Sequence, residues 1–174
     1  SGRFGKTAGP QHSDIELSTG GYVWRTAILI LIVYPSLYFL AGYFIAWQSE
    51  AVRVYYTGST ELRSFGVMII ENIESGLYFF QIIRGVLWVM IALPVLMMLR
   101  VKFIWKGILI GLLFALLMNA QHLLPNPYFP REVAMVHFIE TASSNFICGL
   151  VIVLIFYWRP HISYTHFNKY PVDK

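Results

Sequence analysis

Charged residues are scarce in this sequence: Asp, Glu, Lys and Arg make up 13% of its 174 residues, about half the roughly 25% of an ordinary soluble domain. That leaves too little polar surface to clothe a water-soluble fold. Cysteine occurs once, as Cys148 in an apolar stretch, which excludes an intramolecular disulfide and reads as a small buried hydrophobe. A dense basic face is also missing. The formal charge is +4, but the Lys and Arg residues are scattered at the ends of apolar runs, so nucleic acid is excluded as a partner. The first 20 residues are polar and glycine-containing, without the early apolar run of a cleavable signal peptide; the first span is therefore expected to act as an uncleaved anchor. No internal repeat, low-complexity tract or coiled-coil heptad is visible.

What is present is long apolar runs: 57% of the residues are hydrophobic and 17% aromatic. Four runs, at about 26–49, 76–99, 103–121 and 133–158, have the length to cross a hydrocarbon core of about 30 Å at a helical rise of 1.5 Å. The expected fold is all-α, a polytopic membrane protein built as a bundle of four transmembrane helices in domain 22–158. A polar segment 1–21 precedes it and a tail 159–174 follows. Pro35 and Pro94 lie inside spans, where a kink is tolerated if neighbours satisfy the freed carbonyl. Lys106, one turn into the third span, is expected to snorkel to the interface.

Charge placement orients the spans. Arg3, Lys6 and Arg25 outweigh Asp14 and Glu16 before the first span; Arg100, Lys102 and Lys106 mark the link between the second and third; Arg159, Lys169 and Lys174 outweigh Asp173 in the tail. The link 50–75 instead carries Glu50, Glu61, Glu71 and Glu74 against Arg53 and Arg63. By the positive-inside rule both termini are expected to be cytoplasmic. Tyr and Trp near the span ends, such as Tyr22, Trp47, Tyr128 and Trp158, fit interfacial anchoring. Within the outer link, 52–56 alternates and 65–70 is apolar, so one piece is expected to lie in the interface. The proline-rich stretch "LLPNPYFP" ends the third span and turns the chain into the fourth.

Against this background the stretch "MVHFIETASSNF" is anomalous, because it places His137, Glu140, Ser143, Ser144 and Asn145 inside the last span. Arg84 lies about eight residues, or roughly 12 Å, into the second span. With the expected topology His137 and Glu140 fall at a similar depth, and Asn119, Gln121 and His122 end the third span at the same face. His137, Glu140 and Ser144 share a helix face, as do Gln81 and Arg84. A charge facing lipid costs about 2.5 to 3.5 kcal/mol on insertion scales, so Arg84 and Glu140 are expected to pair. Asn145, about 100 degrees from Ser144, is placed to bond another helix. The candidate cluster, structural or ligand-binding, is Gln81, Arg84, Asn119, His122, His137, Glu140, Ser144 and Asn145.

Several chemistries suit parts of that cluster. His122, His137 and Glu140 carry metal-ligating groups, but "HFIE" is not the His-Glu-x-x-His motif and Arg84 would repel a cation, so no metal is assigned. His122 and His137 on adjacent helices have haem-ligand chemistry, yet the sequence specifies no cofactor. His137 with Glu140 would suit acid/base work and Arg84 an anionic headgroup, whereas Ser143 and Ser144 lack a nucleophile elbow. Polar residues repeated by symmetry would suit a pore, with Glu71 and Glu74 at its outer mouth. The leading expectation is a non-enzymatic integral membrane component, a subunit, adaptor or small sensor. Its expected partners are membrane lipids and either other membrane subunits or further copies of itself. A channel or transporter, or a membrane enzyme acting on a lipid or anionic substrate, is the alternative. Gly107 and Gly111 form a small-x-x-x-small pair, and Gly76, Gly85 and Gly149 offer further close-approach surfaces. His161 and His166 sit in an aromatic, weakly basic tail suited to an anionic lipid surface.

Overall fold

A computed structural model describes residues 17–117 and 119–158, so the tail 159–174 and the start of the polar segment lie outside the described residues. Every regular element among those residues is helical. Helix α1 spans Thr19–Ala46, α2 Glu50–Thr57, α3 Phe65–Glu74, α4 Leu77–Met98, α5 Phe103–Leu117 and α6 Arg131–Tyr157. A single 3-10 turn, Ala120–Leu123, lies between α5 and α6. Three helices, α1, α4 and α6, are long and apolar enough to cross a membrane; α5 is apolar but has 15 residues.

Local chemistry explains where the boundaries differ from the expected spans. Helix α1 starts before the apolar run because Ser18 Oγ accepts from the Gly21 amide at 3.2 Å. This places Arg25 inside the helix instead of before it. Helix α5 stops short of residue 121: Asn119 Nδ2 donates to the carbonyls of Phe114 and Ala115 at 3.2 and 2.9 Å, which closes the helix end. Pro130 precedes α6 directly, where its missing N–H costs little. Gly76 serves no close approach, since no atom lies within 4 Å of a Cβ built on it. Its φ of 78° instead turns α3 into α4.

Pro35 has the consequence its sequence position implies. The turn Leu29–Val33 just before it is widened to π-helical spacing. Pro35 removes the amide that would bond the Leu31 carbonyl, and Tyr78 Oη of α4 donates to that carbonyl at 2.6 Å. The proline is thereby stapled to a neighbouring helix.

Helices α1, α4, α5 and α6 share one core, in which Leu29, Trp88, Leu96, Phe114, Ile152 and Phe156 are buried. Trp88 and Phe114 meet with ring centroids 4.2 Å apart. Helices α5 and α6 pack most closely at Gly111 and Gly149. A Cβ on Gly149 would stand 2.6 Å from Gly111 Cα, so only glycine lets the two backbones touch there. Two cations tie the starts of α1 and α5 to the end of α6. Arg25 donates to the carbonyls of Ile155, Phe156 and Trp158 at 2.5, 2.9 and 2.6 Å, capping the C-terminus of α6. Lys106 does not snorkel outward: it is buried, with Nζ 2.5 Å from Tyr157 Oη, because the end of α6 supplies a partner nearer than the interface. The start of α1 and the start of α5 therefore both lie beside the end of α6.

At the opposite end α2 and α3 fold across the bundle. Arg53 pins the turn from α1 by donating to the carbonyls of Trp47, Gln48 and Thr60. Ala46, Val52 and Val133 form a small second core joining α1, α2 and α6. Phe65 of α3 packs on Tyr43 and Phe44 at centroid distances of 5.0 and 5.9 Å.

Two substitutions test this packing. Gly149→Ala is expected to destabilise the protein by about 3 kcal/mol, the upper end of the overpacking range, because its new methyl meets backbone that cannot yield. Gly66→Ala, with no atom within 4 Å of its new methyl, is the neutral control. Tyr78→Phe leaves the Leu31 carbonyl without its hydroxyl donor and is expected to cost about 1 kcal/mol. Thermal-unfolding midpoints in detergent check both.

Candidate functional site

The first turns of α6 build the site. His137 and Glu140 stand three residues apart on one face, and His137 Nδ1 lies 2.7 Å from Glu140 Oε2. The other ring nitrogen, Nε2, lies 3.2 Å from Tyr56 Oη of α2. Burial, then Tyr55 and Glu140, push the Tyr56 pKa upward, which keeps its hydroxyl protonated. Glu140 Oε2 accepts from Nδ1–H, while at Nε2 the Tyr56 hydroxyl donates to a neutral imidazole and accepts from an imidazolium. Rings hold the imidazole on three sides: Phe129 at 5.6 Å and His122 at 6.3 Å stack on it, and Tyr56 meets it edge-on at 5.7 Å.

Glu140 is 4% exposed. Its Oε2 is bonded to His137, while Oε1 has no hydrogen-bond donor among the described residues and lies 3.6 Å from where a Cβ on Gly42 would stand. Glycine at position 42 leaves that oxygen open. A half-open pocket of about 230 Å3 adjoins it, lined from α1, α2, α3, α4 and α6, with Tyr38, Tyr43, Trp47, Tyr56 and Asn72 among its walls.

The expected ion pair between Arg84 and Glu140 is not formed; among the described residues Arg63 pairs with Glu71, and Glu140 is hydrogen-bonded to His137. Arg84 instead donates to Gln81 Oε1 at 3.3 Å and lies 5.9 and 5.8 Å from the ring centroids of Tyr34 and Tyr38, one turn apart on α1. The physical reason is local supply. Aromatic faces and an amide oxygen serve the guanidinium, and an imidazole one turn away serves the carboxylate. Tyr38 stands within electrostatic range of both charges.

The other expected members separate. His122 joins by stacking on His137 and by a tilted ring contact with Phe129. Asn119 is spent on the end of α5. Ser143 donates to the carbonyls of Ile139 and Glu140, and Ser144 to that of Thr141. Asn145 is buried, but its Nδ2 makes no bond to another helix among the described residues, nor does Gln81 Nε2 find an acceptor there. Among the described residues no group of three His, Cys, Asp or Glu is arranged to hold a metal ion. Sequence reasoning missed Tyr34, Tyr38, Gly42, Tyr56 and Phe129. Tyr34 and Tyr38 have the i, i+4 spacing of a shared helix face, but nothing in the chain order pairs that face with Arg84 or Tyr56 with His137.

Comparison of the chain with protein-family models, curated proteins and solved structures finds no match.

Titration tests the aromatic stack. Partial burial, then the neighbouring His137, push the His122 pKa below the ordinary histidine value, and Glu140 partly offsets them. The stability linked to neutral His122 is therefore present above pH of about 6.5 and lost as the pH falls through the lowered value. Imidazole NMR is expected to place its midpoint below about 6.5. His137→Gln should raise that midpoint and Glu140→Gln should lower it further; an elevated midpoint in the native protein would contradict the arrangement.

Proposed function

We propose that this protein is a non-enzymatic, multi-pass membrane component that receives a ligand or a partner's polar group at the Glu140 cavity. Four helices cross, both termini are cytoplasmic, and the cavity lies under the opposite face. The observation that carries the reading is the buried carboxylate with one unspent oxygen beside a half-open aromatic pocket. A structural pair with His137 has no need of a pocket at the second oxygen, whereas a binding role does. An enzymatic reading draws less support, because both serines donate to carbonyls of their own helix. A cation-attracting pore mouth draws less as well, with Glu71 paired to Arg63 at 2.8 Å.

A parity argument supports four crossings. Arg25 near the start of α1 bonds carbonyls at the end of α6, so an even number of crossings separates them. Helix α5 then counts as a span despite being only about 22 Å long. The basic residues Arg100 and Lys102 fall on the same side as that shared end, in keeping with a cytoplasmic assignment.

Reporter cysteines test the topology. In sealed vesicles with the cytoplasmic face inward, Lys6→Cys and Lys174→Cys should resist an impermeant maleimide while Ser59→Cys reacts. Reaction at only one of the two termini would overturn the even count. Native mass spectrometry from mild detergent should show a retained ligand or subunit that Glu140→Gln reduces, and bare protein in both cases would overturn the binding role.

A further inference from the structure

We propose that the cavity beside Glu140 is a recognition site for an organic ammonium group, an inference that rests on the binding reading above. Three features of the cavity specify this chemistry. Its walls include the aromatic side chains of Tyr38, Tyr43, Trp47 and Tyr56, a residue type whose ring faces attract cations. Glu140 is the one Asp, Glu, Lys or Arg side chain in its lining. His137 Nδ1 bonds Oε2 alone, so Oε1 can accept from an N–H of the guest.

Arg84 does not oppose the guest directly. It is absent from the cavity walls, and its guanidinium is engaged by Gln81 and the rings of Tyr34 and Tyr38. The volume of about 230 Å3 falls below the usual 300 to 1,000 Å3 of small-molecule sites. It therefore suits an amine of few heavy atoms or the headgroup of an aminophospholipid, not a large ligand. Gly42 is the gate to the carboxylate: a leucine there would project toward Oε1 and occupy the space an ammonium needs.

The full chain in mild detergent provides the test, read as the thermal midpoint against concentration of phenethylammonium, with 2-phenylethanol as the uncharged probe. Phenethylammonium is expected to raise the midpoint saturably and 2-phenylethanol not. Both Glu140→Gln and Gly42→Leu should weaken the apparent affinity roughly tenfold or more. Gly42→Leu keeps the Glu140–His137 bond, so it remains informative if Glu140→Gln folds poorly. A second arm offers equal phosphatidylethanolamine and phosphatidylglycerol in mixed micelles and reads bound lipid by native mass spectrometry. Phosphatidylethanolamine enrichment that Gly42→Leu abolishes would identify a lipid-borne ammonium, and a phenethylammonium response without it a free one; both uphold the proposal. Equal responses to the charged and uncharged probes, both lost in Gly42→Leu, would overturn ammonium recognition while leaving a binding cavity in place. No response to either probe, with no lipid retained, would remove the cavity's binding role together with the proposal.

Discussion

Polar groups surrounded by apolar side chains must find partners within the protein, and the arrangement of this fold follows from that constraint. Arg25 closes the last turn of α6, Tyr78 answers the carbonyl released by Pro35, and Lys106 reaches Tyr157. Each contact joins two helices, so the requirement that satisfies a single group also sets helix register. The apolar core supplies cohesion without much direction. Met97, Met98, Phe79 and Leu117 remain exposed on the outside, where a lipid environment would cover them.

The same constraint separates the two internal charges. An arginine and a glutamate on different helices would gain from pairing, but only if both side chains gave up nearer partners. Arg84 has two tyrosine faces and Gln81, and Glu140 has His137. The carboxylate keeps one oxygen free because its one donor among the described residues, His137, binds the other and residue 42 has no side chain to cover it. A cavity with chemical character thus arises from an incomplete match, not from a dedicated motif. The short helices α2 and α3 matter here, since Tyr56 and Phe65 add their rings to the aromatic wall that Tyr38 and Tyr43 of α1 provide.

Much of the fold was legible in the chain. Uninterrupted apolar runs located α1, α4, α5 and α6 to within several residues, and the link 50–75 resolved into two short helices. The ends moved where a side chain intervened, at Ser18 and Asn119. The candidate site was legible in part. His137 and Glu140 are three residues apart, so helical periodicity alone brings them together. His122 was placed near them by depth, whereas Asn119 and Ser144 bond carbonyls of their own segments and Asn145 Nδ2 finds no partner among the described residues.

Sequence by itself determined the all-helical, lipid-compatible character, because hydropathy and period are properties of neighbouring residues. It also determined the need for an internal solution to the polar stretch in α6. Only the tertiary structure decided which groups meet: Tyr56 with His137, Arg84 with tyrosines in place of Glu140, Gly111 against Gly149. Those contacts depend on helix rotation and crossing, and rotation is set by packing across the whole bundle.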